Sequence, residues 1–209
     1  MKEKSLAIQA GILASAGLTT KIIGFVYRIP MANILGNTGN GIYSVAFGIY
    51  GIVLTLSSYS MPISVSKLVS EKAAVGSKED SIKVFRVAML VSVIVGALAA
   101  MGLYFGADGL AGVYNKTGLE MPLKVLAPTT FIVSVLGCFR GYFQGYGNMV
   151  PTALSQIIEQ IINAVVSIIA AGQITVLIIG SNNEAALRAM GGTMGTCAGA
   201  MAALVCVMI

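Results

Sequence analysis

Long apolar stretches alternate with short polar breaks along the whole chain. Each stretch runs for about 20 residues or more, the length of a membrane-spanning helix, and none shows the period-two alternation of a strand. Six helical segments are therefore predicted, with approximate bounds 5–35, 42–66, 84–106, 121–145, 151–180 and 185–209. The predicted fold is all-α, a polytopic transmembrane bundle of six helices that occupies residues 1–209.

The breaks between these segments are rich in glycine, asparagine and serine, the residues that favour turns. They lie at residues 36–41, 76–78, 115–118, 145–148 and 181–183. Prolines in or near the ends of apolar runs predict kinks at Pro30, Pro62 and Pro128, because neighbouring helices can satisfy the freed backbone groups. Pro151 stands instead where a helix begins, the position that proline tolerates best.

The composition supports a membrane protein. Of the 209 residues, 56% are hydrophobic and 10% are charged, against about 25% charged in an average soluble domain. The mean hydropathy is +0.88. Too little polar surface remains to cover a water-soluble globule, and the same figures exclude a disordered chain. The net charge of +5 therefore does not indicate a nucleic-acid partner.

Several chemistries are excluded by the residue types that the sequence lacks. It contains no histidine, which excludes a histidine metal centre, a Ser-His-Asp triad and a histidine proton switch. Cys138, Cys197 and Cys206 stand apart in apolar stretches and form no CxxC pair, so we interpret them as small buried apolar side chains. Neither an enzymatic activity nor a bound metal or cofactor is expected.

Basic residues are distributed unevenly between the predicted loops. With a cytoplasmic N-terminus, eight of the 13 basic residues lie on the cytoplasmic side and three on the outer side, and Lys21 and Arg28 lie within the first segment. The cytoplasmic set is Lys2, Lys4, Lys67, Lys72, Lys78, Lys83, Arg86 and Arg140, and the outer set is Lys116, Lys124 and Arg188. The positive-inside rule therefore predicts a cytoplasmic N-terminus.

The stretch from Lys67 to Arg86 holds most of the cytoplasmic charge. It also contains Glu71, Glu79 and Asp80. We interpret it as a solvated, mixed-charge loop with a short surface helix. A specific site for anionic lipid is the alternative.

Two cations stand inside the first segment, where a charge is costly. Lys21 and Arg28 are seven residues, or two helical turns, apart and so share one face. Lys21 lies about 24 Å along the segment, whereas Arg28 is nearer its outer boundary. We interpret the pair as a cationic stripe that lines an aqueous cavity and binds an anionic group. In the structural alternative, Arg28 snorkels to the interface and Lys21 pairs with a carboxylate.

The fifth segment carries a polar stripe at spacings of three and four residues. Its members are Ser155, Gln156, Glu159, Gln160, Asn163 and Ser167. Single polar residues often join helices by hydrogen bonds, but six around one acid are more typical of a cavity wall. Glu159 lies about 13 Å beyond Pro151, near mid-depth. We predict that Gln156, Glu159 and Asn163 line the cavity, and the alternative is structural pairing of Glu159 with a cation.

The fourth segment ends in an unusual run, residues 138–148, with an arginine, a glutamine, four aromatic residues and three glycines. An interfacial aromatic belt with a glycine turn explains the aromatic residues but not Arg140 or Gln144, which we include among the candidate cavity residues. In the sixth segment, GxxxG spacings at 191/195 and 195/199 predict close helix packing.

Several ordered strings in the sequence resemble one family of transporters. They are KIIGFVYR at 21–28, ILG at 34–36, GIYS at 41–44, PISVSK at 62–67 and FRGYFQGYGNMVPTALSQIIEQIINAVV at 139–166. Together they resemble the start of a polysaccharide flippase of the multidrug/oligosaccharidyl-lipid/polysaccharide exporter superfamily. The branch that they resemble most is the stage V sporulation protein B group of Gram-positive bacteria, which is similar to the lipid II flippases.

This resemblance implies an architecture and a site. Members of the family have two six-helix lobes around a central cavity and move lipid-linked oligosaccharides, or drugs in the multidrug branch, by alternating access. The chain would be the N-terminal lobe of such a MATE-like transporter. Basic residues of the first helix are thought to meet the lipid pyrophosphate, and Lys21 and Arg28 stand in the matching segment. Tyr27 and Arg28 stand where some lipid II flippases have an Arg-Asp pair, and Glu159 belongs to the family string SQxxEQ.

The expected function is transport of a lipid-linked oligosaccharide or polysaccharide precursor across a bacterial plasma membrane. The expected partners are that lipid-linked glycan, membrane lipids, and a missing C-terminal lobe or a second copy of the chain. Two alternatives remain: a cation-coupled multidrug exporter, and a non-transporting membrane scaffold for envelope or spore-wall synthesis. The apolar end of the sixth segment at Ile209 predicts a truncated piece, with a helix that simply ends there as the alternative.

Overall fold

Six α-helices form the regular structure of the described part of the chain. The computed structural model describes residues 2–177 and 183–209. The helices are α1 (Lys2–Ser57), α2 (Met61–Ala74), α3 (Lys78–Val113), α4 (Glu120–Gly145), α5 (Val150–Leu177) and α6 (Glu184–Met208). The predicted all-α fold is confirmed. The predicted end of the fifth segment at residues 178–180 and the break at residues 181–182 lie outside the described residues.

Five of these helices, all except α2, are long and apolar enough to cross a membrane. The count differs from the six predicted spans because the first two predicted segments both lie on α1. That helix bends at Gly36, whose φ of 64° and ψ of 179° lie in a region that glycine adopts readily. The bend divides α1 into a first arm, residues 2–35, and a second arm, residues 37–57. The predicted break at 36–41 is therefore a kink at one residue, after which the helix resumes.

The structure corrects two boundaries. The predicted second span, 42–66, is wrong at its end because α1 stops at Ser57 and α2 begins at Met61. Pro62 lies in the first turn of α2, where its ring is tolerated, and it would break a helix that continued through it. The stretch 67–86 is helical except at residues 75–77, so it is less of a loop than its charges indicate. Ser77 caps α3 by accepting a hydrogen bond from the backbone nitrogen of Asp80 at 3.3 Å.

Glycines let α6 lie directly against α5. A Cβ on Gly199 would be 2.5 Å from the backbone oxygen of Glu159. A Cβ on Gly195 would overlap the side chain of Ser167, whose Oγ donates to the backbone oxygen of Gly192 at 2.7 Å. The predicted close packing of the sixth segment is confirmed, and α5 is its partner.

A second glycine seam joins α4 to α2. A Cβ on Gly141 would lie 2.7 Å from the backbone oxygen of Pro62, and one on Gly145 would lie 2.6 Å from the Cβ of Val69. These two glycines are therefore packing positions within the helix. Of the glycines in the predicted break, only Gly147 lies in the turn itself, with a φ of 75°. The short α2 is held against the end of α4 as a result.

The outer face of α3 is apolar. Leu90, Ile94, Leu98 and Phe105 are all exposed along it. A face of this length would be costly in water and is well suited to contact with acyl chains. Together with the five long apolar helices, it makes the chain a multi-pass membrane protein.

Gly195→Ala should destabilise the seam between α5 and α6, because the added methyl group has no space beside Ser167 and Asn163. Overpacking of this kind costs about 1–3 kcal/mol in protein interiors. The expected result is a lower midpoint of unfolding for the purified chain in detergent, followed by circular dichroism during titration with dodecyl sulfate.

Gly102→Ala is the matched control, because Gly102 is exposed on α3 and a Cβ there meets nothing within 4 Å. Alanine is favoured over glycine in a helix by about 1 kcal/mol. This variant should therefore be as stable as the unchanged chain or slightly more stable. An equal loss of stability in Gly195→Ala and Gly102→Ala would contradict the close packing of α6 against α5.

Candidate functional site

A cavity of about 420 Å³ lies between the two arms of α1 and the middle of α5. We name it the α1 cavity. Its wall consists of Lys21, Gly24, Phe25, Tyr27, Arg28, Met31, Ala32, Asn40, Tyr43, Phe47 and Gln160. The volume falls in the range of about 300–1,000 Å³ that is usual for small-molecule sites.

The α1 cavity is positively charged. Lys21 and Arg28 both line it, and both are exposed. No carboxylate is among its described wall residues, and neither cation forms an ion pair with a side chain of residues 7–177 and 183–209. The structure therefore does not show the alternative in which Lys21 pairs with a carboxylate. Two uncompensated cations in a concave, partly apolar site attract anions.

Residues on both sides of the bend at Gly36 line the α1 cavity. Arg28 belongs to the first arm, whereas Asn40 and Tyr43 follow the bend on the second arm. Tyr43 is almost fully buried and forms part of the core beneath the cavity. The kink in α1 thus brings a cation, an amide and an aromatic ring to one site.

Gln160 brings an amide from α5 into the same cavity. Its Nε2 would lie only 3.1 Å from a Cβ on Gly24. The missing side chain at Gly24 therefore gives this amide its space beside α1. A carboxamide carries both donors and an acceptor, so Gln160 and Asn40 can form hydrogen bonds with hydroxyl or amide groups of a ligand.

A second polar cluster, which we name the α4–α5 brace, consists of Arg140, Gln144, Thr152, Ser155 and Glu159. The Nη2 of Arg140 donates to Oε2 of Glu159 at 2.7 Å, and its Nε donates to Oγ of Ser155 at 3.0 Å. The two charged side chains are 13% and 27% exposed, so water screens their pairing only in part. Nε2 of Gln144 donates to Oγ1 of Thr152 at 3.4 Å and extends the cluster towards the end of α4.

Asn163 and Gln156 lie away from the α1 cavity as well. Oδ1 of Asn163 accepts hydrogen bonds from Oγ of Ser167 at 3.0 Å and from Oγ1 of Thr196 at 3.4 Å. Asn163 therefore belongs to the seam with α6. The Oε1 of Gln156 is buried and has no hydrogen-bond partner in the described part of the chain.

The polar stripe predicted on α5 thus divides among three neighbours. Glu159 pairs with Arg140 on α4, Gln160 lies in the α1 cavity, and Asn163 contacts α6. The structure brings together two of the predicted site residues, Lys21 and Arg28. It places the others outside the cavity wall, namely Arg140, Gln144, Gln156, Glu159 and Asn163.

Sequence reasoning missed three parts of the cavity. Gln160 belongs to the stripe that is typical of a cavity wall, but it is not among the site residues predicted by number. Asn40 lies in the break at 36–41, where asparagine and glycine are typical of a turn and therefore gave no sign of a cavity wall. Tyr43 follows in an apolar run, and only the resemblance of GIYS to a family string singles it out.

Comparison with known families decides the identity of the chain. The family described as Polysaccharide biosynthesis protein matches residues 6–209. The chain belongs to this family. The predicted resemblance to polysaccharide flippases of the exporter superfamily is thereby confirmed.

Two curated relatives from Bacillus subtilis (strain 168) illustrate the range of this family. The chain is 30% identical to Stage V sporulation protein B over 152 residues. This aligned region covers 72% of this chain and 29% of that protein. It is 29% identical to Lipid II flippase MurJ over 163 residues. This aligned region covers 74% of this chain and 30% of that protein. The chain therefore spans about a third of the length of the curated relatives that it matches.

A solved structure with a similar fold is an outward-facing multidrug resistance MATE family transporter of the MOP superfamily. The TM-score is 0.76 at 15% sequence identity, and the match covers 98% of this chain and 44% of that one. At this identity the likeness concerns the fold alone. It confirms the MATE-like helix arrangement that the sequence predicts.

A double-mutant cycle should show that Arg140 and Glu159 stabilise each other. Arg140→Met and Glu159→Gln should each destabilise the chain, because each leaves a shielded partner without its counter-charge. The loss of unfolding free energy in the double variant should be smaller than the sum of the losses in the two single variants. The difference, which is the coupling energy, should be about 1–3 kcal/mol. Unfolding in dodecyl sulfate, followed by circular dichroism, measures all four stabilities.

The exposed pair Lys83 and Glu79, 3.4 Å apart on α3, is the control cycle. Exposed pairs at this spacing typically couple by about 0.3–0.5 kcal/mol. If the two cycles gave the same small coupling, the α4–α5 brace would have no more effect than a surface ion pair.

Proposed function

We propose that the chain is the substrate-binding lobe of a flippase for a lipid-linked glycan. The observation that carries this proposal is the α1 cavity, with Lys21 and Arg28 in its wall and no carboxylate among its described wall residues. A lipid-linked glycan presents a phosphate or diphosphate between an apolar chain and a sugar. The cavity offers cations, apolar side chains and amides in one place, which suits all three parts of such a molecule.

Arg28 and Lys21 would hold the phosphate groups in different ways. A guanidinium binds phosphate oxygens with two parallel hydrogen bonds, whereas an ammonium acts as a compact point charge. The two side chains are two turns apart on one face, so they can contact one extended anionic group from the same side. Gln160 and Asn40 would then bind sugar hydroxyl or amide groups by hydrogen bonds.

The α4–α5 brace would serve this function from outside the cavity. By pairing with Arg140, Glu159 keeps its negative charge away from Lys21 and Arg28. The brace also ties α4 to α5, so that the lobe can rock as one body during alternating access. Arg140, Gln144, Gln156, Glu159 and Asn163 are on this proposal supporting residues of the lobe.

Transport would require more protein than this chain. Because the matched residues cover only 29% and 30% of the curated relatives, we propose that a second lobe or a second copy of the chain completes the cavity. We further propose that the N-terminus is cytoplasmic, as the distribution of basic residues indicates. Stage V sporulation protein B and Lipid II flippase MurJ, by their names, place relatives in sporulation and in lipid II transport.

Two other functions are supported less well. A multidrug exporter of the same fold usually moves cations, which Lys21 and Arg28 would repel. A membrane scaffold would have no use for two uncompensated charges in a cavity, because they carry a desolvation cost. The proposal is a transport role without catalysis.

Arg28→Ala should abolish the ability of the protein that carries this chain to restore growth to a strain depleted of its lipid-linked glycan flippase. Charge-assisted hydrogen bonds contribute about 1.5–3 kcal/mol each, so binding of a fluorescent polyprenyl-diphosphate disaccharide should weaken by about 10- to 100-fold. Arg28→Lys should retain part of the binding, because it keeps the charge and loses the paired donors.

Lys78→Ala removes an exposed cation at the start of α3, outside the α1 cavity, and is the control for loss of charge. It should complement growth normally at the same abundance in the membrane. Normal growth with Arg28→Ala, at wild-type abundance, would refute the role given to Arg28.

Gln160→Glu should distinguish a lipid-glycan flippase from a cation exporter. The change keeps the shape of the side chain but adds a negative charge beside the two cations. Like charges brought together cost several kcal/mol, so binding of the diphosphate-linked glycan should weaken by about tenfold or more. Binding is measured by fluorescence anisotropy, with Gln160→Ala as the neutral control.

The same variants can be tested for resistance to cationic dyes such as ethidium. A cation exporter would gain dye resistance from the added carboxylate, whereas a flippase would lose glycan binding and gain nothing. Unchanged glycan binding in Gln160→Glu would show that Gln160 does not face the ligand.

A further inference from the structure

A second concave surface lies on the outside of the bundle, along the end of α4 between its two neighbours α3 and α6. It is a groove of about 410 Å³ that shares no wall residue with the α1 cavity. We name it the aromatic groove. Its wall consists of Ile82, Phe85, Arg86, Phe139, Tyr142, Phe143, Val207 and Met208.

The position of Arg86 along α3 places the groove at the edge of the apolar layer. Residues 78–86 contain five charged side chains, whereas residues 87–107 contain none. That uncharged run of 21 residues rises about 31 Å at 1.5 Å per residue, close to the thickness of about 30 Å of a bilayer's hydrocarbon core. Arg86 therefore lies at the level of the lipid headgroups.

Aromatic rings form one side of the groove. The ring centroid of Phe85 is 5.3 Å from that of Phe139 and 4.7 Å from that of Tyr142. Tyr142 in turn packs against Phe143 with the centroids 5.9 Å apart. Rings in contact make a continuous apolar surface, and tyrosine at this level is typical of a membrane interface. An acyl chain could lie along this surface.

The charge of Arg86 is available to a ligand. Its side chain is exposed, and it forms no ion pair with a side chain of residues 7–177 and 183–209. Lys83, almost one turn earlier, differs because it is held by Glu79 at 3.4 Å and by Asp80 at 3.3 Å. The guanidinium of Arg86 is thus the cation in the groove wall, and its two-pronged geometry matches a phosphate.

We propose that the aromatic groove binds one anionic phospholipid. The headgroup phosphate lies on Arg86, and an acyl chain lies along Phe85, Phe139 and Phe143. An anionic lipid is selected over a zwitterionic one because the choline group of the latter would bring a second positive charge to Arg86. The site is separate from the α1 cavity, so it does not depend on the function proposed for that cavity.

The absence of tryptophan from the sequence allows a direct test. Phe143→Trp places a single tryptophan emitter in the groove. The chain is reconstituted in vesicles of equal parts phosphatidylglycerol and phosphatidylcholine, with bromine on the acyl chains of one lipid at a time. The brominated phosphatidylglycerol should quench the tryptophan fluorescence more than the brominated phosphatidylcholine does. The expected binding constant for phosphatidylglycerol is about five times that for phosphatidylcholine, the effect of one arginine near a membrane surface.

Three further variants make the test specific. Phe105→Trp, on the exposed face of α3 away from the groove, should report equal quenching by the two lipids. Arg86→Gln, added to Phe143→Trp, should remove the preference for phosphatidylglycerol. Lys67→Gln, which removes an exposed cation outside the groove, should leave the preference unchanged.

Two results would overturn the proposal. One is equal quenching by the two brominated lipids at the groove reporter. The other is an equal loss of preference in Lys67→Gln and Arg86→Gln, which would show a general surface potential instead of a site. Phe139→Trp provides a second reporter in the same groove if Phe143→Trp does not fold, and the same two results apply to it.

Discussion

The close contact of α5 with α6 determines how α5 is rotated, and the polar sites of the lobe depend on that rotation. Gly195 and Gly199 present no side chains at the seam, so the backbones approach and Asn163 is held against α6. Consecutive residues on a helix point about 100° apart around its axis. Once Asn163 faces α6, Glu159 is directed to α4 and Gln160 to α1. The packing of α5 against α6 thus places Glu159 in the α4–α5 brace and Gln160 in the wall of the α1 cavity.

This rotation also separates the charges of the lobe. Glu159 is satisfied by Arg140 at 2.7 Å, so that pair is close to neutral. Lys21 and Arg28 are left with no counter-charge in the described cavity wall. Had Glu159 faced the α1 cavity, it would have neutralised one of them and weakened the attraction for an anion. On the proposed function, the brace would have a second effect beyond stability, because it would keep the field of the cavity positive.

The features that follow from periodicity could be predicted from the sequence. The apolar spans, the shared face of Lys21 and Arg28, and the packing of the glycines in α6 all depend on spacing within one helix. The partner of Glu159 could not be predicted, because spacing on α5 does not say which neighbouring helix a given face will meet. The glycines at 36–41 predict a break between two helices, but tertiary packing overrides this turn preference and the helix resumes after Gly36.

Depth explains why one cationic site needs a cavity and the other does not. Arg86 lies at the end of a 21-residue uncharged run, where headgroups and water can solvate it on an open groove. Lys21 lies well within the first arm of α1, 15 residues before the bend at Gly36. A charge at that depth is tolerated only beside water or a counter-charge. Because no carboxylate pairs with Lys21 among the described residues, the α1 cavity is the physical condition for having Lys21 there. An anionic ligand would provide the counter-charge for Lys21 that the described wall of the cavity lacks.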